Sequence, residues 1–380
     1  MTDSSNVTSP GRSPYARVVD LQEFNDHGEP TARQWTFKNV HFLPLGYRDL
    51  LPVTGGQKIQ IPIRMSGEVA SGTDLAPDVI GKRMVVRSVM DSDFTSKSFA
   101  LVRGGWLPSG MALQQGAIFM LDRCTVSDLC GHFSAGRKVK PGQPDFLDFF
   151  EADGVRINPL LYVLEGNTRA VPSLAQMREQ LAEVTAKLSA CLPRAHLIAS
   201  DDAGLQGALG ILKDTEAAMK AKQAFLLRVA PKVMEQVGRR RQDVVWDEIL
   251  RTAKELKLST QSLVVLAVLS AMLVQRGQNP AKKLLKPKPP TEYTTQDAYN
   301  AVSDLRMLEL FACYLSLFPS QSFALCTGDK NLALFWAGIQ ASNFRWIGTF
   351  ANYKVSPVED LLPGLSTRQR ASIFDSSEAR

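Results

Sequence analysis

The chain has 380 residues, 44% of them hydrophobic and 22% charged, enough to bury a sizeable core in two domains. Five cysteines without CxxC spacing and only four histidines argue against a disulfide framework, a structural zinc site and His-centred catalysis. The longest apolar stretch, Leu263 to Val274, is broken by Ser270 and falls short of the ~20 residues a bilayer demands, so a soluble cytoplasmic protein without membrane association is expected.

Residues 1–30 are rich in Ser, Thr, Pro, Asp and Asn and read as a flexible tail with no apolar signal-peptide region. Between 31 and 110 come short alternating runs such as Gln34-Trp35-Thr36-Phe37, Lys58 to Ile63 and Arg83 to Val89, separated by Gly, Pro and Asp. They predict a small β-rich N-terminal module.

After Gly116 the texture changes to strands followed by helices. Ala117 to Leu121 is continuously apolar, as expected of a parallel strand covered on both faces, and a helix follows from about Thr125. Asn158-Pro159 supplies an N-cap and a first-turn proline for a helix carrying Glu165. Helical periodicity then runs from about Pro172 to Gln275, in segments Leu174–Leu192, Asp214–Val237 and Asp243–Leu256, with Arg194–Ile198 as a candidate strand. Thr295 caps a helix reaching Phe318. Phe323 to Thr327 is a further strand, Leu332 to Ile339 a helix, and Phe344 to Phe350 a last strand. Residues 356–380 read as a C-terminal tail.

Charge is concentrated. Between Val171 and Asn300 stand 19 Lys and Arg against 13 Asp and Glu, an excess equal to the formal net charge of the whole chain, +6. Arg239-Arg240-Arg241 and Lys282, Lys283, Lys286 and Lys288 carry much of it, either as a grip on a nucleic-acid backbone or as a solvated face and linker.

Four acids stand in apolar company. Asp122 closes the run Ala117 to Leu121, Asp329 follows Phe323 to Thr327 after Gly328, and Glu165 and Asp304 sit within apolar helical patterns. Asp122 and Asp329 each suit a helix N-cap, Glu165 a surface site, and Asp304 a buried ion pair. Taken together, they predict a site gathered by a divalent metal. Asp145, Asp148, Glu151 and Asp153 form a rival cluster, for which a solvated face is the plainer reading.

The pieces Ile118 to Asp122, Asn158 to Glu165, Asn300 to Arg306 and Leu325-Cys326-Thr327-Gly328-Asp329-Lys330 resemble, in order and context, the PIN-domain family of metal-dependent nucleases. The resemblance spans roughly Gly116 to Phe350 and implies a PIN-like three-layer α/β/α fold with a central parallel sheet over 111–355. The long gap between Glu165 and Asp304 implies a large helical insertion at about 170–290. The resemblance also implies an endonuclease acting on single-stranded RNA, using Mg²⁺ or Mn²⁺. The expected ligands are Asp122, Asp304 and Asp329, with Glu165 positioning water. Thr327, Lys330, Lys282 and Lys283 would serve the substrate. A regulatory protein partner or a homo-oligomer is a further expectation.

Two other classes compete. One is a non-catalytic nucleic-acid-binding or scaffolding protein with a degenerate PIN-like fold. The other is a small-molecule phosphohydrolase, less favoured because Cys124 stands where a DxD pair would need its second acid and because no glycine-rich phosphate loop follows.

Overall fold

The structure, a computed structural model, describes residues 18–375 except 26, 28, 54–57, 96, 97, 141, 166–170, 199 and 276. Residues 1–17 of the expected N-terminal tail and 376–380 of the C-terminal one lie outside the described residues.

Four strands open the chain: β1 (Val19–Phe24), β2 (Pro30–Phe42), β3 (Lys58–Gly72) and β4 (Arg83–Thr95). They form an antiparallel sheet in the order β1-β2-β3-β4. The alternation predicted there is present: Ile63, Met65 and Val69 of β3 are buried while Arg64, Ser66 and Glu68 between them are half-buried. β1 lies inside the stretch read as tail. Its half-buried Val19 and Leu21 alternate with exposed polar neighbours and pair onto β2, a period-two signal that the polar composition hides.

A short helix α1 (Tyr47–Leu50) follows β2, and Leu45 just before it exchanges backbone hydrogen bonds with Trp106 at 2.9 and 3.1 Å. Neighbouring Gly105 has φ 156°, and a Cβ there would lie 2.1 Å from the Leu45 carbonyl oxygen, so this crossing demands glycine.

The central sheet has six strands. In chain order they are β5 (Phe99–Val102), β6 (Gly105–Pro108), β7 (Ile118–Leu121), β10 (Arg156–Asn158), β11 (His196–Leu197) and β12 (Phe323–Thr327). Between β7 and β10 in sequence lies a separate minor hairpin, β8 (Phe133–Ser134) and β9 (Arg137–Lys138). The spatial order is β11-β10-β7-β12-β5-β6. The first four are mutually parallel, whereas β5 runs antiparallel to β12 and β6 to β5. The sheet is therefore mixed rather than wholly parallel. Its two antiparallel strands come from residues assigned by composition to the N-terminal module. β7 and β12 are buried at every position, the continuous apolar pattern doing what it predicts. The candidate strand Arg194–Ile198 contains β11.

Helices α2 (Ser109–Gln114), α3 (Arg123–His132) and α4 (Leu160–Glu165) flank these strands. The region 170–290 holds α5 (Leu174–Cys191), α6 (Asp202–Asp214), α7 (Glu216–Val229), α8 (Arg239–Glu255), α9 (Leu263–Leu273) and α10 (Pro280–Leu285). α9 is buried on all sides from Leu263 to Met272, so the longest apolar stretch is a core helix. Among the described residues no helix is long and apolar enough to cross a membrane. α11 (Thr295–Leu317) returns the chain to the sheet, capped one residue earlier than expected: the Thr294 hydroxyl accepts from the Asp297 N–H at 3.2 Å, and the Asp297 carboxylate accepts from the Thr294 N–H at 2.9 Å. α12 (Lys330–Ile339) follows β12, and the last expected strand is a hairpin, β13 (Ser342–Ile347) with β14 (Phe350–Lys354).

The expected C-terminal tail carries buried Leu361 and Leu362 and a helix, α13 (Thr367–Phe374), whose Ile373 is also buried. The Trp246 indole N–H donates to the Ser372 hydroxyl at 3.3 Å. These apolar anchors are too sparse to stand out in a polar stretch.

Candidate functional site

β7 and β12 are parallel neighbours with Leu121 opposite Cys326, so the residues that leave their C-terminal ends emerge side by side. Asp122 is the N-cap of α3: its carboxylate accepts from the Thr125 N–H at 2.6 Å. The Thr125 hydroxyl in turn donates to the Cys326 carbonyl at 3.0 Å, binding the start of α3 to β12. Asp329 caps α12, accepting from the Asn331 and Leu332 N–H groups at 2.7 and 3.2 Å. Both N-cap readings hold, and both carboxylates lie at one edge of the sheet.

Thr327 is fully buried between them. Its hydroxyl oxygen accepts from the Asp329 N–H at 3.1 Å, and its hydrogen bond to the Asp122 carboxylate favours the ionised acid. One side chain thus orients both acids.

Asn158 and Pro159 launch α4 as predicted, with the Leu160 N–H donating to Asn158 Oδ1 at 2.9 Å. The last residue of α4, Glu165, accepts from the Arg123 N–H at 3.0 Å, which brings it beside Asp122. Arg123 lies flat on Tyr162, its guanidinium carbon 4.1 Å from the ring centroid and Nη2 donating to the phenolic oxygen at 3.1 Å. Asp304, half-buried on α11, completes the group.

The electrostatics mark these acids as neighbours. Burial pushes the Glu165 carboxyl up to about 7, helped by repulsion from Asp122 and Asp304 and opposed by the Arg123 N–H and charge. Burial likewise lifts Asp304 to about 6, reinforced by Asp329 and Asp122 and countered by Lys286. Asp122 is raised by burial too, against its hydrogen bonds from Thr125 and Thr327. The Cys124 thiol is pushed up by burial and then by Asp122, Glu165, Asp128 and Asp304, so three of the four acids act on one atom.

Hard oxygen donors that repel one another, three of them half-buried and Asp329 exposed, suit a divalent cation such as Mg²⁺ or Mn²⁺ in charge and in ligand type. Among the described residues, however, no three His, Cys, Asp or Glu side chains converge closely enough to hold a metal in the side-chain positions of this structure. Two of the acids are occupied as helix caps.

The remaining predicted residues fall as follows. Lys330 donates to the Leu51 carbonyl at 2.7 Å and is pushed down by burial, so its ammonium is turned toward the N-terminal region. Lys283 is exposed and Lys282 half-buried on α10. Lys288 pairs with Asp297 at 2.7 Å, and the triplet Arg239 to Arg241 is exposed at the start of α8.

The rival acids do not share one solvated face. Asp145 is buried and bonded to the Thr95 hydroxyl at 2.5 Å; Asp148 binds His132 at 2.5 Å and Lys138 at 2.9 Å; Arg194 lies 3.4 Å from both Glu151 and Asp153. Each serves a structural contact.

Sequence reasoning missed Arg123 and Tyr162, and it placed Lys286 in the basic stretch without its effect on Asp304. Arg123 alone carries a local signal, as the residue immediately after a strand-ending acid. No family model matches this chain, nor does any curated protein or solved structure.

Proposed function

We propose that this chain is a metal-dependent endonuclease of the PIN-like type that hydrolyses phosphodiester bonds, with single-stranded RNA as the preferred substrate. The observation that carries the reading is a chain of repulsions near the C-terminal edge of parallel strands: Asp122 and Asp304 act on Glu165, and Asp329 and Asp122 act on Asp304, from four separate segments. The parallel order β11-β10-β7-β12 supports the PIN-like assignment, because it places the first acid-bearing strand beside the last.

In this reading Asp122, Asp304 and Asp329 furnish oxygen ligands, drawn together from the positions described above. A bound Mg²⁺ or Mn²⁺ would supply charge to offset that developing on the scissile phosphate and would acidify water beside it. Glu165, raised to about 7, orients the attacking water and takes up its proton. Thr327 holds Asp122 and Asp329 in register, and Lys282 and Lys283 of the basic insertion contact the RNA backbone. The N-terminal sheet serves a regulatory partner or a second copy.

A gel assay of single-stranded RNA and DNA in Mn²⁺, Mg²⁺ or EDTA, beside Asp122→Asn, tests this. Metal-dependent cleavage lost in the variant supports the nuclease. Cleavage equal in both proteins, or Mn²⁺ binding that the substitution does not touch, rejects the site. One observation favours a second reading, a non-catalytic nucleic-acid-binding protein: Asp122 and Asp329 already have structural work as N-caps. Binding of RNA without cleavage in any metal, unchanged in Asp122→Asn, would select it.

A further inference from the structure

Two of the five free cysteines, 61 residues apart in sequence, meet in space. Cys130 lies on α3, the helix capped by Asp122, and Cys191 is the last residue of α5, the first helix after Glu165. Their Sγ atoms stand 3.6 Å apart. Cys130 is half-buried, so small solutes have access to it, whereas Cys191 is 4% exposed. The hydrogen bond between Cys130 and Cys191, and then the charge of Lys187 one turn before Cys191, favour the Cys130 thiolate, taking that thiol down to about 7.

We propose that Cys130 and Cys191 form a modification site, a dithiol that hydrogen peroxide converts into an intramolecular disulfide joining α3 to α5. The Cys130 thiolate attacks one peroxide oxygen. The O–O bond breaks, the departing hydroxide takes a proton to become water, and Cys130 is left as a sulfenic acid. Cys191 then attacks the Cys130 sulfur; an S–S bond forms as the S–O bond breaks, and hydroxide leaves with the Cys191 proton as a second water. Two thiols lose two electrons to one peroxide. Closing from 3.6 Å to the ~2.05 Å of a disulfide asks for a movement of about 1.5 Å, within reach of a side-chain rotation and a small helix shift.

The division of labour follows from burial. The accessible, more acidic sulfur meets the oxidant, and the enclosed one resolves the sulfenic acid before a second peroxide can overoxidise it. Cys124 is exposed as well, but the close pair of sulfurs is Cys130 with Cys191, so the link forms there.

Peptide mapping of the full-length protein, alkylated without reductant after brief exposure to stoichiometric hydrogen peroxide, tests the site. The expected product is a Cys130–Cys191 cross-link that a reductant reverses, with Cys124, Cys313 and Cys326 still alkylated. Cys191→Ser should instead leave Cys130 as a sulfenic acid captured by dimedone. In the wild type the oxidised form should melt roughly 5 °C higher, an upper figure for closing a loop of this length, and Cys191→Ser should show no such rise. Recovery of Cys130 and Cys191 fully alkylated while Cys124 is oxidised, or conversion of Cys130 to sulfinic acid without a link, overturns the proposal. Neither readout depends on nuclease activity.

Discussion

Replacing Asp304 by Asn should make the protein more stable in the absence of divalent cations at pH 8. Asp304 ordinarily titrates near 3.8 and here is raised to about 6 by burial and by the charges of Asp329 and Asp122. That is about two powers of ten in proton affinity, or about 3 kcal/mol of unfavourable ionisation as an upper limit. The sign follows from linkage. A carboxyl whose folded value is raised binds more protons folded than unfolded, so stability falls as pH rises from about 4 to above 6 and the full cost is present at pH 8. Asn is neutral throughout and escapes it. A chain of 380 residues unfolds with an entropy of about 0.8 kcal/mol/K, so the variant should melt up to ~4 °C higher at pH 8. At pH 5, where folded Asp304 is mostly protonated but an unfolded one is mostly ionised, the gain should shrink to about half. Scanning calorimetry of both proteins in EDTA at the two pH values measures this. Mn²⁺ at about a thousand times its Kd should then reverse the order, since a ligand at that excess adds about 4.1 kcal/mol to the protein that binds it best. A variant less stable than wild type at pH 8, or a difference independent of pH, would refute the account of Asp304 as one of a repelling group.

Thr327→Val removes the hydroxyl shared by Asp122 and the Asp329 N–H and should cost about 1–3 kcal/mol in urea unfolding, with weaker Mn²⁺ binding. Asp145→Ala, which strips the bond to Thr95 and the cap on Leu147, should destabilise by about 2–3 kcal/mol yet leave the Mn²⁺-induced melting shift intact. Because Glu165 is raised to about 7, Mn²⁺ competes with a proton there, and its apparent affinity by calorimetric titration should rise between pH 6 and 8. Glu165→Gln should flatten that rise while retaining the hydrogen bond from the Arg123 N–H.

What could be read from the chain was whatever is encoded locally. Asp122 and Asp329 follow apolar runs and precede helices, an N-cap signal contained in a few residues, and Asn158-Pro159 announces α4 in the same way. Asp304 was visible because an acid on an apolar stripe is an anomaly. The misses are tertiary. β5 pairs with β12, more than two hundred positions along the chain, so nothing near Phe99 reveals its partner. Lys330 follows the strand-ending acid and looked available to a phosphate, but a carbonyl 279 residues away holds it. α6 lies inside the stretch read as helical without being singled out, and the buried ends of the Asp145 turn passed for a charged surface.

The path from β4 to β12 bears on how this protein could have been assembled. Thr95 at the end of β4 is tied to Pro144 and Asp145, and four residues later Phe99 pairs directly across from Thr327. Recombination works at seams where few backbone hydrogen bonds cross, and the change of composition near residue 110 is no such seam. A transplant cut there would carry off two strands and leave the backbone groups of β12 exposed beside Thr327, an invitation to pair with other chains. A cut before Phe99 spares the inner sheet but severs the Leu45–Trp106 backbone pair, the Thr95 bonds and the hold of the Leu51 carbonyl on Lys330. The outer sheet and the inner one are therefore exchanged together or not at all.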